Sequence, residues 1–175
     1  MRWVLLAPFL GGTVLLIAVP ALMTFGLAFF EYDALSPPLQ RMLGELFAVH
    51  EMMRVFGPGL LAQPDGAARY ARARDAFPPV RHPIVRTHPV TGRKALFVNP
   101  IFTDHIDGLS RRESGALLAF LYEHTRLPEF QCRFRWQPGS VAFWDNRCTQ
   151  HYPVADYWPQ ARRMHRVAIL GDRPV

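Results

Sequence analysis

Apolar residues set three different rhythms along this chain. Residues 3–30 carry no Asp, Glu, Lys or Arg, a run longer than the roughly 20 residues that cross a bilayer as a helix. The run predicts an apolar N-terminal helix over 1–30, with a membrane span as the leading reading and a buried core helix or an export signal as alternatives. Pro8 and Pro20 interrupt it, which membrane helices tolerate, and Arg2 before it with Glu31 and Asp33 after it favours a cytoplasmic N-terminus.

A helical rhythm follows. Ser36 ahead of Pro37 reads as an N-cap with proline in the first turn. Leu39, Met42, Leu43, Leu46 and Phe47 then recur at helical spacing and predict an amphipathic helix over 37–50. After Gly57-Pro58-Gly59, residues 65–76 read as an Ala/Arg-rich surface helix or mobile loop. Ser110 and Glu113 form a capping box for a helix whose apolar face is Leu117, Leu118, Phe120 and Leu121, through to about His124.

The third rhythm alternates. Residues 81–89 predict a strand, Thr91-Gly92-Arg93 a turn, and 95–98 the returning strand. Residues 130–136 and 141–144 predict two more strands around the turn Gln137-Pro138-Gly139, and 164–170 a last one closed by Gly171-Asp172. The expected fold class is α+β, mainly β.

Composition narrows the partners. At 175 residues, half of them hydrophobic, the chain can bury a core of its own. Its net charge of +6 suits small anionic substrates. The arginines form no basic run interleaved with aromatics, so nucleic acid is not an expected partner. Cys132 and Cys148 are the two cysteines, without a Cys-x-x-Cys pair. Neither a disulfide scaffold nor a zinc site is indicated.

The stretch 144–166 concentrates the candidate chemistry. His151 lies upstream of Arg162, Arg163 and Arg166, an order suited to holding a metal and an anion together. This stretch, with the His-Pro-Ile-Val-Arg-Thr-His-Pro run at 82–89, closely resembles the TauD/TfdA family of Fe(II)/2-oxoglutarate-dependent taurine catabolism dioxygenases. The resemblance covers about residues 31–175. It implies the C-terminal part of a double-stranded β-helix, or jelly roll, with inserted helices. It also implies a cytoplasmic enzyme that hydroxylates taurine or a related alkyl sulfonate, with release of sulfite. By the same resemblance His151 is an iron ligand, Arg162 binds the distal carboxylate of 2-oxoglutarate, Arg166 grips the sulfonate and Phe56 lines the substrate pocket. Asp145, Asn146 and Arg147 look like the family's turn before the ligand histidine. Arg163 has no family role and reads as a solvated strand residue.

The family's upstream His-x-Asp pair is replaced in this chain by the apolar segment, and His105-Ile106-Asp107 lies where the family has no ligand. One imidazole cannot hold Fe(II) facially, so the chain as it stands is expected to be inactive. Residues 1–35 resemble, over a much shorter stretch, the first membrane helix of sugar-type ABC transporter permeases, which implies a join near Tyr32–Pro38. Two other readings follow, a truncated or fused remnant without catalysis and a membrane-anchored anion-binding module. Membrane contact through residues 3–30, with inner-membrane anchoring, and self-association along open sheet edges belong to these expectations. Sequencing the genomic DNA upstream of codon 31 checks the inferred join: an in-frame His-x-Asp there would show that the apolar N-terminus is not the genuine one.

Overall fold

The computed structural model describes residues 29, 31–171 and 174. The expected N-terminal helix and its membrane reading fall, apart from Phe29, outside the described residues. Among those, no helix is long and apolar enough to cross a membrane.

Helix α1 (Pro37–Gly44) begins as expected, with Ser36 extended ahead of it and proline in the first turn. It does not run on to residue 50. Strand β1 (Phe47–His50) takes over after a short turn, pairing antiparallel with β2 (Val80–Pro83) on one edge and β5 (Thr103–Ile106) on the other. Leu46 and Phe47 continue the helical spacing of α1, but the sheet offers this backbone ladders on both sides. Tertiary pairing therefore overrides the local pattern.

Helix α2 (Met53–Leu61) runs through Gly57-Pro58-Gly59, with Pro58 inside it. Helix α3 (Gly66–Ala76) is the surface helix the composition suggests. The two pack closely because Gly57 has no side chain: a Cβ there would lie 2.8 Å from the Tyr70 ring.

The strand expected over 81–89 is divided at Ile84. β2 belongs to the three-stranded sheet, while β3 (Val85–Thr87) forms a hairpin with β4 (Lys94–Leu96). Ile84 is fully buried, receives the Phe97 amide and gives its own to Leu46 O, so one residue stitches both sheets together. Gly92 turns the hairpin at φ 69°, a conformation that favours glycine.

Helix α4 (Arg111–Thr125) has the expected capping box, with Ser110 Oγ accepting from Glu113 N and Glu113 accepting from Ser110 N. Its inward face is Ser114, Leu118 and Leu121; Phe120 points to solvent, contrary to expectation. Ser114 Oγ accepts the Ile106 amide at 2.8 Å and so fixes α4 to β5. Leu43, Ala48, Ile84, Leu96, Ile106 and Leu121 meet in the core between these elements.

After a 3-10 turn at Pro128–Phe130, residues 131–171 form no strand. The three strands expected over 130–136, 141–144 and 164–170 are absent, and the described chain holds more helix than strand rather than being mainly β. The alternation is present in these segments, but no described strand runs beside them to complete a ladder. Their apolar side chains stand in solvent; Val167 is 92% and Leu170 99% exposed.

Removing the Leu43 side chain should therefore cost about 2–5 kcal/mol, whereas Val167→Ala should change stability by less than about 0.5 kcal/mol. Urea unfolding of both variants checks this; a large loss at Val167 would place it in a packed strand.

Candidate functional site

The tract with the sequence-predicted site residues is fastened to the hairpin by one turn, and Asp145 is its hub. Asp145 Oδ1 accepts from Arg147 N and Nε, both at 2.9 Å, and Oδ2 accepts from Arg147 Nη2 at 2.7 Å. The Asp145 carbonyl accepts the amides of Cys148 and Thr149 and the Thr149 hydroxyl. The segment expected to orient the site is thus a self-bonded turn.

His88, at the end of the first hairpin strand and 2% exposed, reaches Asp145 Oδ2 at 3.1 Å through Nε2. Its Nδ1 accepts the amides of Val90 and Thr91. Amides only donate, so in the neutral ring the proton sits on Nε2 and is donated to Asp145. Hydrogen bonds from Arg147, and then from His88, hold the Asp145 carboxyl well below the usual carboxylate range despite its partial burial.

Cys148 lies buried beside this pair, and donor atoms of His88, Asp145 and Cys148 lie within 4.8 Å of one another. Their bonding argues against a cation at this point. The His88 Nε2 proton is committed, Asp145 already faces a guanidinium, and burial followed by the Asp145 charge pushes the Cys148 thiol up to about 11. Each would have to give up its present state to become a ligand. The cluster is a clamp.

Beyond the turn, Gln150 Nε2 donates to Val98 O at 2.7 Å. His151 follows, exposed, with its ring 5.1 Å from that of Trp144. The Arg162 guanidinium lies 5.5 Å from the Tyr157 ring centroid; Arg163 and Arg166 are exposed. Among the described residues, no hydrogen bond, ion pair or ring contact joins His151 to Arg162 or Arg166. The expected metal and anion groups share a tract without touching. Nor does His105-Ile106-Asp107 form a ligand pair: His105 bonds Asp104 at 2.8 Å, and Asp107 bonds Arg81 at 2.8 Å.

Phe56 sits on α2, half-exposed, with its ring centroid 6.3 Å from that of Phe102. Phe102 is a partner the sequence did not single out, although Asn99-Pro100 marks the turn that presents it. It helps line a cavity of about 390 Å³ with Phe77, Val80, His50 and His82. His50 stacks on Phe97 and meets the edge of His82 at 5.1 Å. Burial, and secondly His82, push the His50 pKa down to about 4. His50 is therefore neutral at physiological pH.

The family described as "Taurine catabolism dioxygenase TauD, TfdA family" matches residues 31–168. An alpha-ketoglutarate-dependent sulfate ester dioxygenase of Pseudomonas putida is 38% identical, over 82% of this chain and 48% of its own length. An alpha-ketoglutarate-dependent sulfonate dioxygenase of Saccharomyces cerevisiae is 37% identical, over 82% of this chain and 34% of its own length. In three dimensions the chain resembles a taurine dioxygenase from Burkholderia xenovorans, with a TM-score of 0.54 and 40% identity over 70% of this chain and 36% of that one. The chain thus spans between a third and a half of the relatives it matches.

The His50 environment generates a pH dependence. Its folded pKa, about 4, lies below the ordinary 6.5, so the unfolded chain binds the proton more tightly and stability is lost as pH falls through that window. Glu31, pushed up to about 8 by burial, acts oppositely and loses its contribution as pH rises above 4.5. Replacing His50→Phe should therefore raise the urea midpoint relative to wild type progressively between pH 6.5 and 4, the Glu31 contribution cancelling in the difference; a flat difference would refute it.

Proposed function

Because the chain belongs to the taurine catabolism dioxygenase TauD, TfdA family, we propose that it supplies the distal-histidine and arginine half of an Fe(II)/2-oxoglutarate-dependent dioxygenase site. The proposed substrate class is alkyl sulfonates, taurine among them, or sulfate esters. The observation that carries this reading is the family match over 31–168, which contains Phe56, His151, Arg162 and Arg166 in one alignable stretch.

Fe(II) in such a site requires two histidines and a carboxylate on one face. Among the described residues, His151 has no such company, since the one group of three potential ligands is the His88, Asp145 and Cys148 clamp. The described residues therefore do not by themselves fit the metal, and the chemistry they support is anion recognition. His151 contributes one imidazole to a set that must be completed elsewhere.

Arginine suits both anions because its planar guanidinium is permanently charged and offers parallel N–H donors to two oxygens. The Tyr157 ring lies against the Arg162 guanidinium and covers part of its surface, leaving donors for the distal carboxylate of 2-oxoglutarate. Arg166, four residues on, is assigned to the sulfonate or sulfate group. Alkyl sulfonates and sulfate esters both end in three sulfur-bound oxygens, so Arg166 alone selects the anion rather than its carbon chain. Phe56 and Phe102 offer the apolar wall against which that chain would lie.

Titration of the full chain with 2-oxoglutarate and separately with taurine, followed by amide NMR, tests the assignment. Arg162→Ala should weaken 2-oxoglutarate binding by roughly tenfold or more and spare taurine, and Arg166→Ala should do the reverse. Loss of both ligands in both variants, or of neither, would overturn it. The wild-type chain supplied with Fe(II), 2-oxoglutarate and taurine should release negligible sulfite.

A further inference from the structure

Asn99 uses every polar group it has. Its backbone N–H donates to Thr103 Oγ1 at 2.8 Å, and its carbonyl accepts the Thr103 amide at 2.9 Å and the Tyr122 hydroxyl at 3.4 Å. Side-chain Oδ1 accepts the amides of Ile101 at 2.8 Å and Phe102 at 3.3 Å, closing the turn that presents the Phe102 ring to Phe56. Side-chain Nδ2 donates to Gln150 Oε1 at 3.2 Å. Gln150 in turn donates to Val98 O and is the residue immediately before His151.

The orientation of both amides is fixed by backbone groups. The Ile101 and Phe102 amides can only donate, so the Asn99 oxygen faces them and its nitrogen faces Gln150. The Val98 carbonyl can only accept, so the Gln150 nitrogen faces it and its oxygen faces Asn99. The remaining pair, N–H on one side and oxygen on the other, is complementary without further adjustment.

From this we propose that Asn99 is a positioning residue that locks the aromatic wall at Phe102 to the stem of His151 through Gln150. The proposal rests on the functional reading of His151 and Phe56 given above. One half-buried side chain then sets two separations at once, that of Phe102 from the α2 ring and that of the His151 backbone from the 98–99 loop. The bond lies outside the Asp145 clamp and braces the 145–149 turn from its C-terminal side, so the closure of that turn and the direction of the stem both respond to it.

The test follows exchange of the Ile101 and Phe102 amides, which report the aromatic turn, and of the Cys148 and Thr149 amides, which report the stem, together with the NMR shifts of the His151 ring, all in the full chain. Asn99→Asp keeps the acceptor for Ile101 and Phe102 but puts an oxygen opposite Gln150. It should leave 101–102 protected and speed exchange at 148–149 by roughly two- to tenfold. Gln150→Ala, at an exposed position that spares the core, should do the same. Asn99→Ala should loosen both segments. The His151 ring resonances should move in Asn99→Asp and in Gln150→Ala, and move no further in the double variant than in either single one, since both cut the same connection.

Unchanged exchange at 148–149 in Asn99→Asp or Gln150→Ala would overturn the proposal. So would fully additive shifts of the His151 ring. Should Asn99→Ala fail to fold, those two milder variants still decide. Taurine and 2-oxoglutarate titrations of the wild-type chain test the functional reading separately: absence of binding there would sink that reading while leaving the exchange result to stand or fall alone.

Discussion

A partly buried hydrogen bond from His88 Nε2 to Asp145 Oδ2 joins the two halves of this structure. On one side lies a core of short strands and helices; on the other, a tract without regular structure that carries His151, Arg162 and Arg166. The bond is directional because the two amides at Nδ1 settle where the His88 proton sits. It is charge-assisted because Arg147 keeps its acceptor ionised. A neutral acceptor at Asp145 would weaken both contacts together, so orientation and charge cooperate rather than add. Cys148, packed with Phe29 and Ala95, supplies the apolar underside of the same fastening.

That fastening explains why the site residues hold different degrees of order along a short sequence. The turn over 145–149 is bonded to itself and to the hairpin, and Gln150 adds a tie to the 98–99 loop. From His151 to Gly171 the chain is exposed apart from the half-buried Arg162, and its contacts are of a looser kind, a tilted ring against Trp144 and a guanidinium over Tyr157. Position is therefore passed outward from the clamp, and among the described residues Gln150 is the last side chain in that direction with hydrogen bonds to the core.

What could be read from the sequence divides along the same physical boundary. The Ser110 and Glu113 capping box was legible because both its bonds close within one helical turn. The end of α1 was not, since Leu46 and Phe47 satisfy a helical spacing while β2 and β5 compete for the same backbone. The strands expected beyond residue 130 failed for the converse reason: alternation marks a segment able to pair, but pairing needs a neighbour that local pattern does not specify. At the site, arginine and histidine could be picked out by their position in a recognisable stretch. Asn99 and His88 could not, because their roles arise from contacts with Gln150, 51 residues away, and Asp145, 57 residues away.

The two kinds of chemistry proposed for the tract place unequal demands on that order. A guanidinium carries its charge in any conformation and can meet an oxyanion with its own parallel donors, so Arg162 and Arg166 can act singly, even in solvent, at reduced strength. An imidazole offers a metal one lone pair, and useful affinity comes only when several ligands converge with their orientations fixed. Anion recognition is accordingly the separable part of such a site. In the proposed role of His151, metal binding is the part that requires its stem to be aimed, and the hydrogen bonds of Gln150, one residue upstream of the imidazole, are the ones placed to aim it.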